Sequence, residues 1–307
     1  MKSVICLFVL TAAMCTWADE NQLRVGDSDI HRQGVNYALH VPPAAETTHA
    51  ALGLLVFFGG VGDSTAYYQK AFTPMADDLG LVVVVPQMPW FSKPGDVGVP
   101  GVLASLDGLR REIEARFRTD PGLVIVSGAS AGGNSACLLA SRWDTAVPLL
   151  VLHSTGPCRS DVKARILHLV GQQEAAFLPE DGRSGTFLGQ GTTDMFAVPG
   201  EAHEVHFKDM RWWVETELSA LRLAASGPQV ALAEKDLAAG KPAEAKARMQ
   251  VYADAARVLA ASVVEGDAFT KYQNVRRREL LNQCRKAIGA VEQMQRRIEN
   301  APQPPLT

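Results

Sequence analysis

The 307-residue chain is short of several things that would have pointed elsewhere. It has five cysteines and only 7% aromatic residues. Neither sign of charge dominates: 30 Lys and Arg stand against 33 Asp and Glu, a formal net charge of −3. Electrostatic capture of nucleic acid needs a concentrated basic surface, so no nucleic-acid partner is expected. No two cysteines have the Cys-x-x-Cys spacing of a structural zinc site, which leaves a metal without support. After the first residues, no apolar run approaches the roughly 20 residues that a membrane-crossing helix needs, so stable membrane insertion is not expected either. Apolar residues are plentiful at 47%, with 21% charged, a balance that folds rather than remaining disordered. At about 100–200 residues per domain, the length fits one large domain or two smaller ones.

The N-terminus reads as a secretory signal peptide over residues 1–18. Lys2 precedes an apolar run from Val4 to Met14, and Thr16 and Ala18 are small residues at the −3 and −1 positions of a cleavage site. The mature chain is therefore expected to be secreted or periplasmic. Cys6 and Cys15 leave with that segment, and Cys137, Cys158 and Cys284 remain. Export permits a Cys137–Cys158 disulfide, but buried free thiols are the simpler expectation.

From Val25 to Leu223 short apolar runs alternate with amphipathic stretches. The runs are Ala51–Phe58, Leu81–Pro86, Leu123–Ser127, Pro148–His153, Ile166–Val170 and Met195–Val198. Several are continuous, as in Leu81-Val82-Val83-Val84-Val85, which suits parallel strands covered on both faces. Gln33–Val41 reads as an earlier antiparallel strand. Helices are expected over Tyr67–Leu79, Val102–Phe117, Ala131–Arg142 and Arg211–Ala225. The alternation predicts an α/β class: a mostly parallel, doubly wound sheet over residues 19–226.

Composition changes after Ser226-Gly227-Pro228. Residues 227–300 are rich in helix formers, and Gly240-Lys241-Pro242 and Gly266-Asp267 punctuate them into about three helices. Gln229 to Thr307 carries 13 Lys and Arg against 9 Asp and Glu, a local +4. The Arg276-Arg277-Arg278 cluster is read as a solvated helix face. This all-α extension is a candidate surface for a protein partner, and residues 301–307 are expected to be a disordered tail.

The chemistry centres on Leu123-Val124-Ile125-Val126-Ser127-Gly128-Ala129-Ser130-Ala131-Gly132-Gly133. Here Gly-x-Ser-x-Gly follows a buried-type strand and opens a helix. A sharp strand-to-helix turn strains the serine and lifts its hydroxyl at the C-terminal edge of the sheet, and small neighbours let the backbones approach. This segment resembles the α/β-hydrolase superfamily, most closely its compact bacterial carboxylesterases of the polyhydroxyalkanoate-depolymerase and feruloyl- or acetyl-xylan-esterase kind. The resemblance extends by order and spacing over most of residues 30–225. It implies Ser130 as nucleophile, with no metal or organic cofactor.

The same resemblance suggests the partners of Ser130. Met195-Phe196-Ala197-Val198-Pro199-Gly200-Glu201-Ala202-His203 is similar to a last strand and catalytic-histidine loop, which makes His203 the base, with His206 the competitor and His153 in reserve. Family order puts the orienting acid after the seventh strand, where Ile166–Val170 leads to Glu174; Asp181, Asp194 and Asp161 are the other candidates. The family's His-Gly dipeptide is replaced by Phe58-Gly59. Backbone N–H groups do the work there, so Gly60 and Ala131 are the expected oxyanion donors, with Val61 the fallback. Trp90 and Phe91 follow the fourth strand at the same edge and are read as a substrate-binding wall or as packing. The dozen residues between His153 and Ile166 leave no room for a helical lid, and Phe177–Thr193 is the segment that would cover the site. The implied activity is hydrolysis of a small-molecule or polymer-attached ester through an acyl-enzyme. A serine peptidase of the same fold, or an inactive hydrolase domain acting as a scaffold, are the alternatives.

Overall fold

A computed structural model describes residues 22–47, 51–90, 98–143, 147–156, 158, 162–171, 173–174, 186–188, 192–198, 202–261 and 268–301. The signal-peptide reading, Phe91, Asp161, Asp181 and residues 302–307 lie outside the described residues. The chain divides into two compact units, the first ending at Val205 and the second running from His206 with the short stretch Thr47–Ala51.

Among the described residues, the first unit holds a nine-stranded sheet in the order β1-β2-β4-β3-β5-β6-β7-β9-β8. Its strands are β1 (Gly26–Arg32), β2 (Val35–Val41), β3 (Leu52–Phe58), β4 (Leu81–Pro86), β5 (Thr119–Ala129), β6 (Leu149–His153), β7 (Arg165–Gly171), β8 (Thr186–Leu188) and β9 (Thr192–Val198). Pairing is parallel from β4 through β3, β5, β6 and β7 to β9, and antiparallel at β1–β2, β2–β4 and β8–β9. The α/β class read from the alternating runs is the class observed. Two strands were not anticipated. β1 pairs with β2 through a two-residue turn, Gln33-Gly34, in which both residues have positive φ (49° and 79°), the geometry that tight hairpins favour. β1 buries only Ser28 and Ile30 between polar neighbours, a weak apolar signal. β8 falls in the segment read as a covering loop.

Besides a single-turn helix at Ala44–Thr47, the described helices of this unit are α1 (Thr65–Leu79), α2 (Val99–Arg116) and α3 (Ala131–Arg142). α1 starts where the Ser64 hydroxyl accepts the Tyr67 N–H at 3.4 Å, and it ends at Gly80, left-handed at φ 62°. Side chains alternate across a strand, so Phe57 and Phe58 face opposite ways. Phe57 packs on Tyr68 and Phe72 of α1 with ring centroids 4.5 and 4.9 Å away. Val56 and Phe58 join the core cluster that holds Val102, Leu106 and Leu109 of α2 and Ala136 and Leu139 of α3. Burial of these runs on both faces is what their continuous apolar sequence requires.

The two cysteines expected to be free are joined: Cys137 in α3 bonds Cys158 beyond β6, Cα atoms 5.5 Å apart. Strand order puts β6 beside β5, so the helix that leaves β5 meets the segment that leaves β6, a proximity that spacing alone does not reveal. Cys284 is free and buried.

The second unit contains α4 (Phe207–Ala224), α5 (Gly227–Ala238), α6 (Pro242–Ala260) and α7 (Ala268–Glu299). The compositional boundary at 226/227 falls inside it, because α4 contributes Ala220 and Leu223 to a core shared with Met249, Leu259, Leu280 and Val291. Gly240 has φ 70° at the break between α5 and α6. The solvated reading of Arg276-Arg277-Arg278 holds only for Arg278. Arg276 grips Glu217 through two hydrogen bonds of 2.6 and 3.0 Å. The Arg277 guanidinium, nearly buried, lies 4.3 Å over the Trp212 ring.

Candidate active site

Ser130 stands between β5 and α3 with φ 51° and ψ −124°, a conformation that side-chain-bearing residues rarely adopt. It is held there from both sides: its N–H donates to the His153 carbonyl at 2.9 Å, and its own carbonyl accepts the Gly133 N–H at 3.0 Å. The flanking glycines are needed for close approach. A Cβ on Gly128 would sit 2.5 Å from the Gly132 carbonyl oxygen, and one on Gly132 would sit 2.1 Å from the Phe58 oxygen. The turn thereby presses the start of α3 against the end of β3. The hydroxyl stands at the N-terminus of a 12-residue helix, where unpaired N–H groups and the helix dipole favour negative charge.

Parallel strands deliver their C-terminal ends to one edge, and the candidate residues gather at that edge. Glu174 follows β7 in a tight turn, its N–H donating to the Gly171 carbonyl at 2.9 Å. His203 follows β9. The two side chains meet, Nδ1 of His203 lying 2.6 Å from Oε1 of Glu174. A carboxylate only accepts, so Nδ1 carries the proton and Nε2 is left as the basic nitrogen. Ser130 and His203 line a single cavity of about 150 Å³, together with Gly60, Val61, Asp63, Tyr68, Ser154 and their neighbours. Among the described residues no hydrogen bond joins the Ser130 hydroxyl to the His203 ring. That ring is half exposed on its loop, and such contacts commonly tighten only when substrate is bound.

The other titratable candidates go elsewhere. Asp194 points to Arg165 at 2.5 Å from its position within β9. His206 is buried at the start of α4, in the second unit. His153 is fully buried at the end of β6, its ring 6.4 Å from that of Phe57. His168 is buried in β7, and burial pulls its pKa down to about 4, so it is neutral near pH 7.

Strand order, the serine turn after β5, and an acid and a histidine after the strands that follow it define one arrangement. The fold is that of the α/β-hydrolases. No protein-family model matches the sequence, and a search of curated proteins finds no relative. Among solved structures, the chain is similar to Est1E from Butyrivibrio proteoclasticus at 15% identity and a TM-score of 0.43, covering 62% of this chain and 96% of that one. An S-formylglutathione hydrolase from Agrobacterium tumefaciens is 15% identical with a TM-score of 0.43, covering 64% and 94%. XC6422 from Xanthomonas campestris, described as an α/β serine hydrolase without a lid, is 18% identical with a TM-score of 0.44, covering 63% and 94%. The functional reading of this α/β-hydrolase fold rests on the chain's own site.

The loop after β3 holds a feature that sequence reasoning missed. Phe58, which ends β3, is fully buried in the core. The nominated Gly60 N–H is already engaged, donating to Oδ2 of Asp63 at 2.6 Å. The Tyr68 hydroxyl donates to the same oxygen at 2.7 Å. Burial first, and the Asp63 carboxylate next, push the Tyr68 phenol far above its ordinary pKa, so it remains a protonated donor. The Ala131 N–H, first in α3, is one of the helix's unpaired N-terminal donors.

A second cavity of about 190 Å³ shares Gly60, Asp63 and Tyr68 and extends to Gln87, Met88 and Trp90. Trp90 thus lines a cavity, and its indole N–H is buried without an acceptor among the described residues. Ser154 was also missed. It follows β6 with φ 46°, lines the Ser130 cavity, and keeps a buried hydroxyl with no partner among the described residues. A serine next to His153 at a strand end was the available signal, and it is too common to be informative. Among the described residues, no group of three or more His, Cys, Asp or Glu is placed to hold a metal ion.

Proposed function

We propose that the protein is an exported serine hydrolase that cleaves carboxylic esters through an acyl-enzyme. One observation carries the reading: a serine held at positive φ on a strand-to-helix turn opens onto the same cavity as a histidine whose Nδ1 is 2.6 Å from a carboxylate. In the proposed reaction, Nε2 of His203 takes the Ser130 hydroxyl proton as Oγ attacks the ester carbonyl. Glu174 holds the imidazole in the required tautomer and stabilises its protonated form. Collapse of the tetrahedral intermediate releases the alcohol, which receives its proton from His203. Water, activated by the same imidazole, then hydrolyses the acyl-enzyme to the acid and restores Ser130.

The small cavity favours a compact acyl group. Val61, 53% exposed beside it, would leave room for a bulky or polymeric alcohol outside. The resemblance of residues 1–18 to a signal peptide and the Cys137–Cys158 bond support an oxidising compartment. Ser130→Ala should lower turnover of p-nitrophenyl acetate by about a thousandfold or more, the scale of losing a triad member. Turnover close to that of the unmodified protein would defeat the proposal.

A further inference from the structure

Two donors from different elements converge on one oxygen beside the nucleophile. The Gly60 N–H, just beyond β3, and the Tyr68 hydroxyl of α1 both reach Oδ2 of Asp63, at 2.6 and 2.7 Å. A Cβ built on Gly60 would lie 2.9 Å from that same oxygen and 3.4 Å from the Ser130 Cβ. The carboxylate oxygen and the nucleophile's side chain therefore crowd the same glycine. A negatively charged oxygen held by a backbone N–H and a hydroxyl, next to an attacking serine, is the arrangement a tetrahedral oxyanion requires.

We infer that Gly60 N–H and Tyr68 O–H form an anion site in which Tyr68 is a catalytic residue. Asp63 is its internal occupant, closing the site in the resting protein and leaving it for substrate. The catalytic half of this inference rests on the hydrolase reading; the anion site does not. Asp63 cannot stay. In place, it denies the substrate both donors and sets a like charge against the developing oxyanion. The molecule offers it somewhere to go. The 190 Å³ cavity that Asp63 also lines is bordered by Trp90, whose buried indole N–H lacks an acceptor among the described residues. The carboxylate would exchange two donors for that one. Gly62, at φ 84°, gives the connecting loop a residue that tolerates the swing.

A carboxylate that merely braces its own loop makes the opposite prediction, since removing a brace lowers reactivity. The test is the rate at which a fluorophosphonate probe labels Ser130. Asp63→Ala should label at least about fivefold faster than the unmodified protein, because a closed resting state no longer has to be opened. Asp63→Asn, neutral but of the same shape, should fall between the two. Adding Tyr68→Phe to Asp63→Ala should remove the gain, since loss of one such donor costs about 10²–10³-fold in reported cases. Formate should slow labelling of Asp63→Ala and leave the unmodified protein unaffected. In NMR spectra, the Gly60 amide proton of Asp63→Ala should move upfield and return downfield saturably with formate, but not in the double variant. Labelling of Asp63→Ala at or below the unmodified rate, with an unchanged unfolding midpoint, overturns the inference; if that variant unfolds early, the same result with Asp63→Asn does so. Absence of the formate-dependent shift overturns it as well. Should the serine go unlabelled in every variant, the hydrolase reading and Tyr68's catalytic role fail, while the formate titration still upholds or overturns the anion site.

Discussion

Replacing Ser130 with glycine should stabilise the protein while abolishing its chemistry. The serine sits at φ 51° and ψ −124°, pinned by hydrogen bonds of 2.9 and 3.0 Å to the His153 carbonyl and from the Gly133 N–H. Holding a side-chain-bearing residue in such a conformation costs about 1–3 kcal/mol. Glycine has no Cβ and adopts it freely, but it also gives the unfolded chain more freedom, which takes back about 0.5–1 kcal/mol. The net gain is then about 1 kcal/mol, within limits of about 0 and 2.5 kcal/mol, or a Tm rise of a few degrees at roughly 2–4 °C per kcal/mol for a unit of this size. Ser130→Ala is the control that isolates the cause. It keeps the Cβ and the strain and loses only a hydroxyl that has no hydrogen-bond partner among the described residues. Urea unfolding of the three proteins, followed by circular dichroism with the slope checked for constancy, reads the difference. Both variants should be unreactive toward the probe, and glycine should be more stable than alanine. A glycine variant no more stable than the alanine variant would refute the claim that the turn stores strain.

Three further outcomes follow from named contacts. Glu174→Gln keeps the shape but loses the charge that, in the proposed mechanism, sets the His203 tautomer, so kcat should fall by about 10²–10⁴-fold with little change in KM or in the circular dichroism spectrum; an unchanged kcat would place the acid elsewhere. Gly132→Ala puts a Cβ 2.1 Å from the Phe58 carbonyl oxygen and 2.5 Å from that of Gly59. Both are backbone atoms with no rotamer to escape into, so the urea midpoint should drop by the equivalent of about 1–3 kcal/mol. His168 is held neutral by burial, with its pKa lowered from 6.5 to about 4. Between those values the unfolded chain binds the extra proton, so its contribution is whole above about pH 6.5 and is lost as pH falls toward 4, at most about 3 kcal/mol. The pH slope of stability in that window should flatten in His168→Asn, and an unaltered slope would contradict the assignment.

The serine turn and the run of buried strands were legible because both are local. Continuous β-branched stretches such as Leu81–Val85 have few other ways to bury themselves, and the small residues around Ser130 are a steric requirement written within a few positions. The hairpin strand β1 was not legible, because an edge strand with two buried side chains carries almost no period. The boundary at 226/227 followed composition, whereas the packing of α4 with the later helices followed Ala220 and Leu223, which look the same whichever core they join. The Arg276-Arg277-Arg278 run misled for a similar reason, since charge in sequence does not say whether Glu217 and Trp212 are waiting for it.

The strand-and-helix alternation, the bend at Ser130 and the helical character of the C-terminal residues are properties of short windows of chain, set by sterics and burial within a few residues. What converges on that bend is another matter. That Glu174 meets His203, that Asp63 takes the Gly60 and Tyr68 donors, and that Cys137 meets Cys158 depend on strand order and register across the sheet. Those pairings join residues that no local pattern associates, so they became visible only when the strands lay side by side.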